Sequence, residues 1–308
     1  MIRTINLTKV FGNLTAVDHL DIEINEGDIF GFIGPNGAGK TTTIKMLATL
    51  IRPTDGYAEI CGYNVLRDVD DVKRVIGYMP DFFGVYDDMK VWEYLDFFAA
   101  AYRIQSSRRA QIINDVLELT DLTGKRDDYV ESLSRGMKQR LCFAKTLVHD
   151  PKVLLLDEPA SGLDPRARIE FRELLKELRK MGKTILISSH ILTELSDFCN
   201  TIGIVERGKL LVAGAVDDIT RNLQGSREIE IKIKGDAARA VDLLTGQPGV
   251  RSVEADGEEL LVGIDFEMDD PSVLMEKLIA GGVKVTGFSE KEVNLEDIFM
   301  KITKGAVQ

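Results

Sequence analysis

A glycine-rich segment, Gly34 to Thr42, carries the residues with the clearest chemistry in this chain. Its letters, GPNGAGKTT, fit the phosphate-binding pattern GxxxxGK[ST]. Glycines let a backbone curl until successive N–H groups face an anion, and a helix that starts near Lys40 adds the positive end of its dipole. We expect Lys40 to reach the β- and γ-phosphates of a nucleotide and the Thr41 hydroxyl to ligate Mg²⁺. The predicted phosphate-binding residues are Gly34, Pro35, Asn36, Gly37, Ala38, Gly39, Lys40, Thr41 and Thr42.

Two acidic residues follow a short apolar run further along the chain. Asp157 ends the run Val153 to Leu156, and Glu158 comes next. A carboxylate at the end of a buried parallel strand can hold Mg²⁺ opposite a phosphate loop, and the neighbouring carboxylate can act as a general base on a water molecule. The alternative is a solvated acidic turn before Pro159. The phosphate loop upstream favours the catalytic interpretation.

The segment Leu133 to Arg140 provides a second candidate anion site. Ser134 can cap a helix, and its hydroxyl together with the N–H groups near Gly136 can bind an anion. An ordinary capped basic helix is the alternative, and the residues of this segment taken alone favour it.

The elements that must position these residues alternate between strands and helices. Ile29 to Ile33 reads as a buried strand directly before the phosphate loop, and the helix after the loop is expected to end near Pro53. Val153 to Leu156 and Thr184 to Ser188 are further buried strands, with a helix from about Pro165 to Lys180 between them. The stretch of about 87–147 is mostly helical. The pattern predicts an α/β domain with a mainly parallel sheet and a helical subdomain.

A second domain is predicted after a change in composition near residues 219–227. The remaining chain reads as β-α-β-β-α-β, the ferredoxin-like arrangement, with a final helix from about Leu295 to Ile302. The predicted domains are therefore 1–219, with its helical part at about 87–147, and a small α+β domain over 220–308.

The composition of the 308-residue chain excludes several classes of protein. Its net charge of −11 argues against a nucleic-acid partner, which usually requires a basic surface. No run of about 18 apolar residues predicts a membrane span. The three cysteines form no CxxC pair or Cys/His cluster, which predicts free thiols rather than a disulfide framework or a zinc site.

The combination of motifs resembles the nucleotide-binding subunit of an ABC transporter over about Met1 to Ala215. The matching motifs are Walker A (Gly34 to Thr42), the signature (Leu133 to Met137), Walker B (Val153 to Glu158), the D-loop (Ser161 to Asp164) and the switch histidine (His190). This resemblance implies the fold of a P-loop NTPase of the ABC cassette type, with ATP and Mg²⁺ as cofactors.

The resemblance also implies a mechanism that one chain cannot complete. Two cassettes of this family pair head to tail, and ATP lies between Walker A of one and the signature of the other. Ser134 and Gly136 would then meet the partner's γ-phosphate, and Asp164 of the D-loop would belong to the same nucleotide site. His190 would contact the γ-phosphate, with Glu158 as the catalytic base. Phe11 stands where the family places an aromatic residue that stacks on adenine, although a core aromatic is the alternative there.

Two positions depart from the family pattern. Arg135 and Met137 replace the usual Gly and Gln of the signature, whereas Gly136 is retained, at the position we expect to be least able to carry a side chain. Asp81 stands after Pro80 where the family has glutamine. Its carboxylate can still ligate Mg²⁺, which gives Thr41, Asp157 and Asp81 as the predicted metal ligands.

The resemblance favours an ATPase that energises an ABC-2 type membrane transporter, most often an exporter. The implied partners are a second cassette in a homodimer and an ABC-2 type integral membrane permease, at the cytoplasmic face of the cell membrane. The aromatic residues Phe82, Phe83 and Tyr86 are candidates for the groove that receives the permease. The alternatives are a soluble ABC ATPase acting on a ribosome or nucleic acid, and a nucleotide-binding regulatory subunit with weak hydrolysis, which the change at Asp81 would suit.

Overall fold

The structure, a computed structural model, describes residues 1–82, 84–191, 195, 198–216, 218–219, 227–265 and 267–290. The chain divides into two compact units, Met1–Val216 and Asp217–Gln308. The change in composition along the sequence predicts this division between residues 219 and 220. Within the described ranges, no helix is long and apolar enough to cross a lipid bilayer.

The first unit contains eleven described strands and six described α-helices. In chain order the strands are β1 (Ile2–Phe11), β2 (Leu14–Leu20), β3 (Glu23–Ile24), β4 (Ile29–Ile33), β5 (Asp55–Ile60), β6 (Tyr63–Asn64), β7 (Ile76–Met79), β8 (Val153–Leu156), β9 (Thr184–Ser189), β10 (Thr201–Glu206) and β11 (Lys209–Ala215). The helices are α1 (Lys40–Leu47), α2 (Val69–Val75), α3 (Val91–Ala101), α4 (Ser106–Leu119), α5 (Arg135–Leu147) and α6 (Pro165–Lys180).

The central sheet has the strand order β11-β10-β4-β9-β8-β7, and all of its pairs are parallel except β10 with β11. Every residue of β4, β8 and β9 is buried, as expected for strands covered on both faces. The predicted parallel sheet is therefore confirmed. Because parallel strands end at the same edge, β4, β8 and β9 bring their following residues together there.

A second, antiparallel sheet with the order β2-β1-β5-β6 was not predicted from the sequence. The main core lies between the two sheets and includes apolar side chains of α1. It is built from residues such as Ile2, Leu7, Phe30, Phe32, Ile44, Met46, Leu155 and Leu186. This core fixes α1, and hence the loop that precedes it, against the edge of the central sheet.

The helical part matches its prediction, because α3, α4 and α5 all lie within 87–147. The end of α1 does not match: the helix ends at Leu47 and does not continue toward Pro53. Thr49 adopts a left-handed conformation with φ of 63°, and the backbone N–H of Leu50 returns to the carbonyl of Lys45. These two features end the helix several residues before the proline.

The second unit contains β12 (Arg227–Lys234), α7 (Ala237–Leu244), β13 (Val250–Asp256), β14 (Glu259–Ile264), α8 (Ser272–Ala280) and β15 (Lys284–Glu290). Its antiparallel sheet has the order β13-β14-β12-β15. Burial alternates along β12, since Ile229, Ile231 and Ile233 are buried. The described elements follow the expected β-α-β-β-α-β order. The predicted helix at Leu295 to Ile302 lies outside the described residues.

Candidate nucleotide site

The phosphate loop passes close to two other segments of backbone. It joins β4 to α1, and Gly39 at its end has a φ of 103°, in the region that favours glycine. A Cβ atom at Gly34 would collide with the carbonyl oxygen of Val205, and one at Gly39 with that of Ala16. Packing against the chain's own backbone therefore requires glycine at these two positions, in addition to the backbone freedom that phosphate binding requires.

Lys40 points back into its own loop. Its side chain is only 5% exposed, and its ammonium nitrogen lies 2.6 Å from the carbonyl oxygen of Gly34 and 3.3 Å from that of Pro35. The same nitrogen lies 3.3 Å from Oε1 of Glu158. A buried ammonium held among oxygens at the start of a helix is placed to bind phosphate oxygens.

Asp157 lies at the end of β8 and is 1% exposed. Its Oδ1 accepts hydrogen bonds from the Thr41 hydroxyl at 3.1 Å and the Ser188 hydroxyl at 2.8 Å, whereas its buried Oδ2 has no hydrogen-bond partner. Burial raises the pKa of this carboxyl, and the two hydroxyls oppose the shift. A buried carboxylate oxygen without a partner, next to a threonine hydroxyl, fits the oxygen ligands that Mg²⁺ requires.

Glu158 is held in a strained conformation between two other site residues. Its φ of 48° is rare for a residue with a side chain. Its backbone N–H donates to the Ser188 hydroxyl at 2.9 Å, and its Oε2 lies 2.9 Å from Nδ1 of His190. Strained residues of this kind are concentrated at functional sites, where the surrounding structure holds them in place.

Ser188 was not among the predicted site residues. Its hydroxyl connects the two acidic residues, because it donates to Oδ1 of Asp157 and accepts from the N–H of Glu158. A signal for this role is present in the sequence, because two serines, Ser188 and Ser189, end the apolar strand β9. This strand pairs in parallel with β8. That pairing becomes known only from the structure.

Known proteins with similar sequences cover almost the whole chain. The chain is 35% identical to the Nod factor export ATP-binding protein I of Cupriavidus metallidurans over 97% of this chain and 95% of that protein. It is 36% identical to the bacitracin transport ATP-binding protein BcrA of Bacillus licheniformis over 99% and 98%. This chain belongs to the ABC transporter ATP-binding proteins.

Further comparisons support this assignment for both parts of the ABC protein. The ABC transporter family matches residues 17–161, and the family "ATP-binding protein DrrA1-3-like, C-terminal domain" matches residues 214–303. A solved ATP-binding subunit of an ABC transporter superposes with a TM-score of 0.67 at 27% identity, over 73% of this chain and 93% of that one. The ABC ATPase assignment made from the motifs is confirmed.

The signature and D-loop of this ABC ATPase cap helices. The Ser134 hydroxyl accepts from the N–H of Met137 at 3.3 Å at the start of α5, and Asp164 caps α6 by accepting from the N–H of Ala167 at 2.9 Å. Among the described residues, no hydrogen bond or ion pair joins Ser134 to the Lys40–Glu158 cluster. The two halves of the predicted site are therefore not connected by direct polar contacts within one chain.

The expectation that Gly136 is the position least able to carry a side chain is wrong for the single chain. Of the described residues, a Cβ atom there would meet only Cδ2 of Leu163, at 3.8 Å, which is an ordinary contact. The described part of the chain therefore imposes no steric requirement for glycine at this position.

Asp81 is exposed and lies beyond the end of β7. The neighbouring strand β8 ends beside it, since the N–H of Asp157 donates to the carbonyl of Met79 at 2.9 Å. The charge of Asp81 also contributes to the raised pKa of Asp157. Asp81 is thus close enough to influence Asp157 electrostatically, although its role as a metal ligand stays a prediction.

Phe11 lies at the surface and not in the core. Its ring is 45% exposed, and the ammonium of Lys9 lies 4.8 Å from the ring centroid. Lys9 also donates to the carbonyl of Arg52 at 2.8 Å, which fixes its position. The core interpretation of Phe11 is therefore excluded, and an exposed ring with a cation near it is suited to stacking on a base.

Proposed function

We propose that this ABC ATPase hydrolyses ATP with Mg²⁺ to energise an ABC-2 type membrane exporter. The observation that carries the proposal is the cluster of Lys40, Asp157, Glu158 and His190 at one edge of the central sheet. A phosphate-binding lysine, a buried metal-binding carboxylate and a general base are the components that nucleotide hydrolysis needs.

The chemistry can be assigned to individual side chains. Lys40 would bind the terminal phosphates, and these contacts would replace its ion pair with Glu158. Glu158 would then accept the proton of the attacking water, with His190 orienting the carboxylate through the 2.9 Å contact. Thr41 and Asp157 would hold Mg²⁺, with Asp81 as a further candidate. When bound, this ion neutralises charge that develops on the phosphates.

We propose that the working form is a homodimer. Ser134 and Gly136 supply anion-binding groups that make no polar contact with the phosphate loop of their own chain among the described residues. A second copy placed head to tail would bring them to its own nucleotide. Closure on ATP and reopening after hydrolysis would then provide the movement that drives transport, because the nucleotide binds the two states differently.

Exposed aromatic residues are the proposed contact with the permease. Phe82 is 90% exposed, and the exposed rings of Tyr86 and Phe97 pack edge to face at 5.8 Å between centroids. Phe83, the third predicted contact residue, lies outside the described residues. Large exposed apolar side chains are typical of protein–protein contacts. They favour a position at the cytoplasmic face of the membrane, with the permease as partner.

The names of the relatives support export as the direction of transport. One is a bacitracin transport protein and another a Nod factor export protein. A nucleic-acid partner is not proposed, because the chain carries a net charge of −11.

Two assays test this function. The purified chain should release phosphate from ATP in the presence of Mg²⁺, and EDTA should abolish the release. Tagged chain should copurify with an ABC-2 type permease from solubilised membranes, and F82A together with Y86A should reduce the recovery. Y63A removes an exposed aromatic residue of β6 and serves as the control. Full recovery of the permease by the F82A/Y86A variant would refute the proposed contact.

A further inference from the structure

The signature helix α5 packs directly on the segment that follows Glu158. Glu158 ends the Walker B motif, and the next residues, 159–163, include most of the D-loop. Side chains on the first turns of α5 contact this segment at two separate points. Each point is weak alone, but together they tie the start of α5 to the backbone that carries the proposed general base.

Gln139 makes the most buried of these contacts. Its side chain is only 5% exposed, and its amide nitrogen donates to the backbone carbonyl of Pro159. Pro159 directly follows Glu158, so this hydrogen bond acts one residue from the strained backbone of the proposed base. Burial of an amide costs free energy unless the amide is hydrogen-bonded. Here the hydrogen bond satisfies the buried amide of Gln139 and holds the carbonyl of Pro159 beside the site.

Arg135 makes the second contact, at the D-loop. Gly162 has a φ of +75°, and a Cβ built there would lie 2.9 Å from Nη2 and 3.1 Å from Cζ of Arg135. The guanidinium therefore covers the position where a side chain at Gly162 would be.

The charges on α5 show that Arg135 differs from its neighbours. Lys138 pairs with Asp87 at 2.8 Å, and Arg140 pairs with Asp121 at 3.0 Å. Among the described residues, no carboxylate forms an ion pair with Arg135. Its guanidinium is thus placed by its packing on the D-loop turn and not by an acidic partner.

We propose that Gln139 and Arg135 are positioning residues that couple the signature of each chain to the general base of the same chain. The proposal rests on the function proposed above. In a head-to-tail dimer, Ser134 faces the partner's ATP, whereas Glu158 acts on the ATP of its own chain. Movement of α5 on closure around one nucleotide is transmitted through Gln139 and Arg135 to the Glu158 that serves the other.

The first test replaces Gln139 with methionine, which keeps the length of the side chain and removes the amide donor. In the full chain, Q139M should lower kcat about tenfold and leave the KM for ATP within about twofold, since the amide does not touch nucleotide. A purely structural defect would instead alter KM and thermal stability together. Q111M makes the same change at an exposed site on α4 and should leave both constants unchanged. A kcat for Q139M within twofold of the wild-type value would overturn the proposal.

The second test uses exposed residues, so it does not depend on a core variant that folds. G162A should displace the guanidinium of Arg135 and lower kcat about fivefold. In the R135A background it should lower kcat less than twofold, because contacting residues are coupled in a double-mutant cycle. G182A is the matched control, with a φ of +84° and nothing within 4 Å of its Cβ position. Independent effects of R135A and G162A on kcat would contradict the coupling.

The wild-type chain and E158Q are measured in parallel. Absence of hydrolysis by the wild-type chain would refute the proposed ATPase function. Hydrolysis by the wild type with independent effects in the cycle would refute only the role of Arg135, and hydrolysis by the wild type with an unchanged kcat for Q139M would refute only the role of Gln139.

Discussion

Lys40 and Glu158 form a buried ion pair, with 3.3 Å between Nζ of the lysine and Oε1 of the glutamate. The other carboxylate oxygen of Glu158 lies 2.9 Å from Nδ1 of His190. One carboxylate therefore links the phosphate loop to the strand β9 that precedes His190. Because Lys40 is the proposed phosphate ligand, nucleotide binding and the orientation of the base are expected to be connected through this pair.

Replacement of Lys40 by methionine tests the phosphate loop. K40M removes the buried ammonium, so we expect nucleotide affinity to fall by at least about tenfold and phosphate release to fall by about 100-fold or more. Binding of a fluorescent ATP analogue and a phosphate-release assay measure the two effects. K45M, the same substitution on the same helix α1, should retain both activities. Unchanged nucleotide binding by K40M would show that this loop is not the phosphate site.

Replacement of the buried Asp157 is expected to change the melting temperature by an amount that depends on pH. Burial raises the pKa of Asp157, so the folded chain holds this proton more tightly than the unfolded chain does. The protonated carboxyl of Asp157 contributes fully to the free energy of unfolding below the ordinary pKa of aspartate. This contribution is lost as the pH rises through the raised pKa. D157N removes the buried charge and should raise the melting temperature at pH 7. The gain should shrink as the pH falls toward the ordinary pKa of aspartate.

Two further measurements distinguish this effect from a general stabilisation. Hydrogen bonding with His19 lowers the pKa of Asp18, so D18N should not raise the melting temperature at pH 7. Mg²⁺ with ATP should raise the melting temperature of the wild-type chain and not that of D157N, because the proposed metal ligand is missing. A lower melting temperature for D157N at pH 7 would contradict the burial argument.

The exposed ring of Phe11 predicts a change in affinity with little change in stability. Stacking of a base on an aromatic side chain contributes about 1–3 kcal/mol, so F11A should raise the KM for ATP about fivefold or more. The kcat should stay within about twofold, since stacking on adenine would stabilise the bound substrate and the transition state equally. F11W keeps a stacking surface and should restore the KM. An F11A variant with the wild-type KM would exclude adenine stacking at this position.

The sequence predicted the parts of the fold that have strong local signals. The buried strands β4, β8 and β9 are short apolar runs, and the phosphate loop between β4 and α1 has a fixed pattern of residues. The antiparallel sheet of β1, β2, β5 and β6 was missed, because its pairing depends on contacts distant in the chain. The early end of α1 differs from the prediction because Pro53 is the stop signal visible in the sequence, whereas the left-handed conformation of Thr49 is visible only in the structure.

In the candidate site too, residues in local motifs were predicted and residues whose roles depend on distant contacts were not. Lys40, Asp157, Glu158 and His190 could be predicted because each stands in a motif of recognisable spacing. Ser188 and Gln139 could not be assigned, because a serine at the end of a strand and a glutamine within a helix have many possible partners. Their roles follow only from the parallel pairing of β8 with β9 and from the packing of α5 on the residues after Glu158.

The most direct test of the central claim is the behaviour of E158Q with ATP. This variant keeps the phosphate loop and the shape of the side chain, and it loses the carboxylate that would accept the proton of water. Analytical ultracentrifugation with Mg²⁺ and ATP should show a stable dimer, and phosphate release should fall about 100-fold or more. D55N, which neutralises an exposed aspartate at the start of β5, should hydrolyse ATP normally. Hydrolysis by E158Q at the wild-type rate, or a variant that stays monomeric with ATP, would contradict the account of a two-chain ATPase site with Glu158 as its base.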